Sequence, residues 1–563
     1  MGSISGFEIK DEPVENLRPL KVRIVGAGFS GIYLGIRIPQ KMRNVDLQIY
    51  DKNGGIGGTW YENRYPGCAC DVPSHSYQYS FDPNPDWSSL YAPAAEICAY
   101  LQRIAKKYGV TRYIKLTHNV KSCKWDEVLK KWKLEIENKS TGETFEEDAD
   151  VLISARGSLN EISWPDIPGL SDFQGEVMHS AKWNQNYEFK NKRVGVIGGG
   201  SSSIQIVPIL QKLEGIRISC FVRSKTWISN PLGDGAMLSM GFDPNEPEFS
   251  IEQRKAFANN PETLHSFRKS IEVASNSIHG LSLRDSELQK GAVLALHDKM
   301  KERLAKKPEI LESLAPSFAV GCRRLTPGPG YLEALTAPNV DFISEKIKSI
   351  TPNSIKLENG EETPLDVIVC ATGFNTNNIP PFPVIGRHGR SLEERFTPYP
   401  ETYLSITVDD FPNYFMILGP NSNIGSGSLT RILENYASMV PKKQRVKDFS
   451  KYCEAYFEKT IYLDKCKSWY KDPNTGRVTG LWPGSTLHAL EALRSPRWED
   501  FEYEERDRGA GYRNALSWLG NGWSVTQLGA GDPAWYLEKQ FVDVPVEDRP
   551  EDNIEVNLRP WSY

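Results

Sequence analysis

The chain has 563 residues, room for roughly three or four units at ~150 residues each. A net charge of −5 and a pI near 6.0 give no electrostatic reason for a nucleic-acid partner or an anionic membrane surface. Nine scattered cysteines read as the thiols of a reducing compartment, not a disulfide framework, and no secretory leader or apolar run of membrane-spanning length is visible, so a cytoplasmic location is expected.

Residues 1–19 are polar and proline-interrupted and read as an arm. A short apolar strand, Lys21–Val25, leads into Gly26-Ala-Gly28-Phe-Ser30-Gly31 and a helix that Pro39 is expected to end. A second strand closes at Tyr50-Asp51. The same plan returns 172 residues later. Arg193–Ile197 reads as a strand, Gly198-Gly-Gly200-Ser201-Ser202-Ser203 as a turn into a helix, and Ile218–Val222 as the next strand, closing at Arg223-Ser224. A Pro-rich connection, Trp164–Gly169, precedes this second unit as a hinge. Residues 240–316 are charged and helically patterned and read as an insertion. Leu365–Cys370 is a further buried strand.

These elements predict an α/β protein with two Rossmann-like dinucleotide-binding domains. The expected boundaries are 20–158 and 366–540 for the first, discontinuous domain, and 159–365 for the second, which contains the insertion. Residues 541–563 read as a tail.

Glycine turns of this kind let the backbone approach a pyrophosphate, which then rests on a helix N-terminus. Each match has the strand before it and the helix after it that this use demands. Ser203 replaces the third glycine of the second copy and is small enough for close strand–helix packing. The residue ending the second strand separates the two sites. Asp51 lies 25 residues after Gly26, where a carboxylate accepts hydrogen bonds from a free ribose 2′-hydroxyl. Arg223 lies 25 residues after Gly198, where a guanidinium welcomes a 2′-phosphate. The first turn therefore suits the ADP half of FAD, or NAD, and the second suits NADP.

Three further stretches carry a resemblance. Phe173-Gln-Gly175-Glu-Val-Met-His179-Ser-Ala-Lys-Trp183 lies between the two turns. Gly57-Gly58-Thr59-Trp60 runs through Arg64-Tyr-Pro-Gly67 to Asp71-Val72 and Tyr77. Gly321-Cys-Arg323-Arg324-Leu325 precedes a Gly/Pro-rich loop. With these, residues 20–530 resemble the type I Baeyer–Villiger monooxygenases, in their fungal form, within the class B flavoprotein monooxygenases.

The resemblance implies FAD and NADPH as cofactors and a small-molecule ketone and O2 as substrates, with no obligate protein partner and no metal. It implies insertion of oxygen beside the carbonyl through a C4a-peroxyflavin, giving an ester or lactone. It places Gly58, Thr59, Trp60, Asp71, Val72 and Tyr77 against the flavin. Arg324 becomes the active-site arginine, oriented by Asp71, and Arg323 reaches the 2′-phosphate with Arg223. Trp469 corresponds to a tryptophan that contacts NADP. His179 reads as a hydrogen-bonded linker residue in a hinge element. An N- or S-oxygenating flavin monooxygenase is the alternative, and Trp183, Asp71 and Arg324 argue against it. Cys68 and Cys70, spaced CxC, are taken as small apolar residues, because that spacing strains a disulfide.

Overall fold

A computed structural model describes residues 19–502, apart from 43, 230–236, 239–240, 242, 244–246, 425–440 and 495–496, with the side chain of Trp498 also set aside. The expected N-terminal arm (residue 19 excepted), the tail and the end of the first domain beyond 502 lie outside the described residues.

Two five-stranded parallel sheets organise this part of the chain. In the first, the order is Tyr414–Met416, Val151–Ser154, Leu20–Val25, Val45–Tyr50, Ile114–Lys115. In the second it is Val340–Ile343, Arg217–Phe221, Arg193–Ile197, Val367–Cys370, Glu176–His179. Parallel strands covered on both faces read as near-continuous apolar runs. Val367, Ile368, Val369 and Cys370 are accordingly all fully buried, as are Ile24 and Ile49 in the first sheet. In each sheet the strand feeding the glycine turn is central, so both turns open at the carboxyl ends of strands, where doubly wound sheets bind their ligands.

Two expectations need correction. The strand Val367–Cys370 pairs with Arg193–Ile197 and Glu176–His179. A boundary at 366 therefore cuts the second sheet, and the chain leaves that sheet only after Cys370. Pro39 also does not end the first helix, which runs Phe29–Lys41. In the last turn a missing N–H removes only one bond, and the following turn still closes, with Met42 N–H donating to Ile38 O at 2.9 Å.

The insertion is helical as expected. Its helices are Ile251–Asn259, Pro261–Ser277, Glu287–Arg303 and Glu309–Leu314. Ser250 and Asn260 cap the first two through their side chains. Phe257, Phe267 and Ile271 pack with Leu90 and Tyr91, which joins the insertion to the segment following Asp71. The described residues also form a short parallel pair, Ile228–Ser229 with Thr326–Pro327, and two further sheets that are mainly antiparallel. One contains His118–Asp126, Lys131–Asn138 and Glu143–Ala149, with Val384–Ile385 added in parallel. The other contains Ile347–Ile350, Ser354–Leu357 and Glu362–Pro364.

Candidate active site

The first glycine turn is bare because nothing else fits. A Cβ on Gly26, at φ +112°, would stand 2.5 Å from Ala155 O, and one on Gly31 would stand 1.9 Å from Gly26 O. Gly28 and Gly58, thirty residues apart, face each other so closely that a Cβ on Gly58 would lie 3.0 Å from the Gly28 Cα. Two stretches of naked backbone thus form one groove at the N-terminus of the helix Phe29–Lys41, a shape suited to a pyrophosphate. Ser30 is buried at this helix start.

Asp51 sits at the groove's edge. It accepts from Ala27 N–H at 2.7 Å and from Asn53 N–H at 2.8 Å, so it braces the turn as well as closing the strand. Burial raises its pKa, and the two backbone N–H groups oppose that shift. Each carboxylate oxygen keeps a lone pair for a ribose hydroxyl. Beyond the groove, Thr59 and Trp60 lie on the short helix Thr59–Glu62, and Trp60 meets Tyr77 edge-on at 5.6 Å.

The second turn repeats the logic. A Cβ on Gly198 would lie 2.3 Å from Ala371 O. Ser201, Ser202 and Ser203 begin the helix Ser201–Leu210, and the Ser201 hydroxyl shares a 2.7 Å hydrogen bond with Thr326. Arg323 lies beside this turn, with Nη2 3.5 Å from Gly199 O and Nη1 3.4 Å from Lys225 O. Arg223 and Ser224 follow the neighbouring strand, whose Phe221 is in register with Ile197, and Arg223 is exposed. Two cations therefore flank one phosphate-shaped turn, and an aspartate braces the other. The residues present fit FAD at the first site and NADP at the second.

Asp71 and Arg324 form a close ion pair. Arg324 donates from Nε to one Asp71 oxygen at 2.7 Å and from Nη2 to the other at 2.7 Å, a bidentate contact across 253 residues. The carboxylate beside it holds the Arg324 guanidinium well above its ordinary pKa. Arg324 lines a solvent-connected pocket with Val72, Ile278, His279, Tyr456, Tyr470 and Trp482 also in its walls.

His179 is elsewhere. It is fully buried at the end of the edge strand Glu176–His179, where Nδ1 accepts from Ala181 N–H at 3.1 Å. Burial lowers its pKa to about 4, so it is neutral at physiological pH. Gly175 has no room for a Cβ, which would meet Asp366 O at 2.4 Å, and Trp183 stacks on Phe189 at 5.3 Å. The motif is a packing element of the second sheet and does not line the cavity. Trp469 is half-buried, 4.6 Å from the Tyr470 ring, and it is Tyr470, not Trp469, that faces the cavity.

Cys68 and Cys70 are free buried thiols, as expected. The wider reading of the cysteines is overturned by a disulfide between Cys322 and Cys466, 144 residues apart. It joins the loop carrying Arg323 and Arg324 to the segment carrying Trp469 and Tyr470. Lys471 sits at the same junction, donating to Asp464 O at 2.6 Å and Cys466 O at 3.3 Å within its own segment and to Cys322 Sγ at 3.7 Å across it.

Two glycine turns, each at the carboxyl end of a central strand of a parallel sheet, define a protein built to hold two dinucleotides. The comparisons with known proteins agree. Residues 24–94 match the family model of an NAD(P)-binding Rossmann-like domain. The chain is 37% identical over 544 residues to the FAD-binding monooxygenase tazF of Aspergillus terreus, covering 92% of this chain and 95% of that protein. It is 33% identical over 494 residues to a Baeyer–Villiger monooxygenase of Pseudomonas aeruginosa, covering 83% and 88%. Among solved structures, OTEMO in complex with FAD and NADP superimposes with a TM-score of 0.72 at 25% identity, covering 84% of this chain and 97% of that one. The chain belongs to the FAD-binding Baeyer–Villiger monooxygenases, and it is an FAD- and NADPH-dependent enzyme. This favours Baeyer–Villiger oxygenation over N- or S-oxygenation. Among the described residues no helix is long and apolar enough to cross a membrane, and no cluster suited to a metal ion occurs.

Proposed function

We propose that the cavity beside Arg324 receives a ketone and that the enzyme converts ketone, O2, NADPH and a proton into an ester or lactone, NADP+ and water. The observation that carries this reading is the bidentate Asp71–Arg324 pair at the wall of a largely apolar, aromatic cavity. Bound FAD supplies the hydride acceptance and O2 activation that no side chain can.

The chain supplies position and charge. Asp51 holds the FAD ribose, the backbone of Gly26, Gly28, Ser30 and Gly31 cradles its pyrophosphate, and Gly58, Thr59, Trp60, Val72 and Tyr77 border the ring system. Gly198, Gly200 and Ser201 to Ser203 cradle the NADP pyrophosphate. Arg223, Ser224 and Arg323 would hold its 2′-phosphate, and Trp469 would contact the nucleotide. Arg324 is the catalytic residue. Negative charge that builds on oxygen during insertion needs a cation that cannot give its proton away, and a guanidinium qualifies. Asp71 aims that cation with two of its hydrogen bonds and leaves the remaining N–H groups for the reacting oxygen. A cytosolic setting stays the proposal on seven free thiols against one disulfide, and ketone and O2 are the substrates beyond the cofactors.

The test is Arg324→Ala, with NADPH consumed, H2O2 released and ester formed measured side by side on a panel of cyclic and linear ketones. FAD content should be unchanged, and ester formation should fall by ~10²–10³, the usual cost of one preorganised partner for a developing oxyanion. NADPH oxidation should continue with release of H2O2. Near-normal ester yield would remove Arg324 from the mechanism.

A further inference from the structure

The Cys322–Cys466 disulfide is out of keeping with the rest of the chain, whose other seven cysteines are free thiols. Where most cysteines stay reduced, disulfides are uncommon, and those that form are usually redox-active. Three features of its surroundings fit that use. The two sulfurs are unequally reachable, since Cys322 is fully buried whereas Cys466 is half-buried between the exposed Lys465 and Lys467. An ammonium group lies against the bond, with Lys471 Nζ 3.3 Å from Cys466 Sγ and 3.7 Å from Cys322 Sγ. Both joined segments carry cavity residues, Val320, Gly321 and Arg324 on the Cys322 side and Ile461, Tyr462 and Tyr470 on the Cys466 side.

Thiol–disulfide exchange needs a path to one sulfur and a leaving sulfur that can carry negative charge. Cys466 offers the path, and its two lysine neighbours favour an anionic attacker. Cys322 is then the leaving sulfur. Burial opposes a thiolate there, and Lys471 supplies the opposing charge. The other seven cysteines lack this arrangement, and burial pushes the pKa of every one of them up.

We infer that Cys466 is a thiol-exchange site, at which a small anionic thiol opens the link to Cys322 and thereby loosens the wall that holds Arg324. The incoming thiolate sulfur bonds Cys466 Sγ, the Sγ–Sγ bond breaks, and its electron pair leaves on Cys322 Sγ beside Lys471. A second thiol attacks the attached sulfur, frees Cys466 and departs as the small disulfide. Two thiols are oxidised, one protein disulfide is reduced, and the two thiol protons pass to the two cysteines. The small disulfide reverses the sequence and closes the link. The effect on turnover rests on the reading of the cavity as a ketone site, whereas the exchange does not.

The experiment treats the FAD-loaded enzyme with glutathione near neutral pH, quenches samples with iodoacetamide and locates the modifications by peptide mass spectrometry. Free thiols should rise from seven to all nine cysteines with FAD retained. Early samples should carry glutathione on Cys466 and the alkyl mark on Cys322. Ester per NADPH should fall by about two- to tenfold, since small displacements of a catalytic group are costly, H2O2 per NADPH should rise, and oxidised glutathione should restore both. Lys471→Met should slow the exchange about tenfold and Lys471→Arg should recover most of it. Joint Lys465→Gln and Lys467→Gln should slow glutathione about threefold at low salt and leave uncharged 2-mercaptoethanol unaffected. Glutathione found on Cys322, a link that opens only after unfolding in urea, or unchanged ester and H2O2 per NADPH in the opened enzyme overturns the inference. If Lys471→Met does not fold, the position of the adduct in the unmutated enzyme still decides. Absence of ester from every ketone before any thiol is added sinks the ketone reading instead, and the adduct's position with the H2O2 ratio then judges the exchange site by itself.

Discussion

Lowering the pH from 8 to 5 should cost this fold about 2 kcal/mol at one residue, His75. It lies four residues after Asp71, in the stretch that carries the flavin-side contacts. It is completely buried, with Phe249, Phe257 and Phe267 around its ring at 5.3, 5.1 and 5.1 Å, and neither ring nitrogen has a hydrogen-bond partner. Burial, helped by the Arg268 charge, lowers its pKa to about 3. An unfolded histidine titrates near 6.5, so between those values the unfolded chain binds the extra proton. The stability tied to the neutral ring is therefore complete above pH ~6.5 and is lost progressively as pH falls toward 3. At pH 5 the unfolded ring is almost fully protonated and the folded ring is not, which gives about 2 kcal/mol. That figure depends mainly on the unfolded pKa, so any folded value well below 5 returns nearly the same number. His179, with a pKa of about 4, adds a similar slope. The assay is scanning calorimetry at pH 8 and pH 5 on the unmutated protein and on His75→Phe. The variant should lose the part of the drop between the two pH values that His75 supplies, about 2 kcal/mol. An identical drop in both proteins would show that His75 is not held neutral by its phenylalanine cage.

Asp71→Asn should keep FAD but slow ester formation on the order of 10²-fold, because it leaves Arg324 without its counter-charge; the cost stays near 2–3 kcal/mol, since Arg324 is 30% exposed and water relieves part of it. Unchanged ester yield would show that the pair is a structural ion pair only. Arg223→Ala should raise the KM for NADPH by tenfold or more while leaving NADH use nearly unchanged, since one charged contact to a phosphate contributes ~1.5–3 kcal/mol; equal use of both coenzymes by the unmutated enzyme would refute the assignment. Cys466→Ser should lower the thermal midpoint and raise the H2O2 released per NADPH, because a cross-link over 144 residues restricts the unfolded chain by on the order of 4–5 kcal/mol and also holds the Arg324 loop. A variant matching the unmutated protein in both readouts would show that the link holds nothing in place.

What could be read from the sequence was local. A strand, a glycine turn and a helix occupy about twenty-five residues, and the carboxylate or guanidinium at the end of the next strand falls in the same window. Asp51 and Arg223 were therefore legible as opposites from chemistry alone. Asp71 and Arg324 were not, since 253 residues separate them and each by itself is an ordinary charged residue in a loop. Only the resemblance paired them. The Cys322–Cys466 link was invisible for the same reason, as no local spacing marks partners 144 residues apart. Sheet order is likewise non-local. Val367–Cys370 reads as a buried strand in any sheet, and only its hydrogen bonds to Arg193–Ile197 assign it to the second. The motif Ser468-Trp-Tyr470 drew the eye to its tryptophan, whereas the cavity is faced by the tyrosine. The alternation of side chains along a loop cannot be foretold as it can in a strand.

The placement of the pair also explains why the site needs two nucleotide domains and not one. Arg324 emerges from the loop that follows the insertion, and its neighbour Arg323 turns toward Gly199 and the NADP turn. Asp71 belongs to the segment that continues from the flavin groove. The Asp71–Arg324 contact is thus a bond between the flavin side and the nicotinamide side of the enzyme. A guanidinium alone in this half-dry cavity would attract any anion, and a carboxylate alone would repel the charge that oxygen insertion develops. Paired, they leave a cation at the cavity wall whose direction is set by two 2.7 Å bonds. The disulfide and Lys471 secure the segment that carries Tyr470, so the cavity wall beside Arg324 is held by covalent, ionic and hydrogen-bonded links.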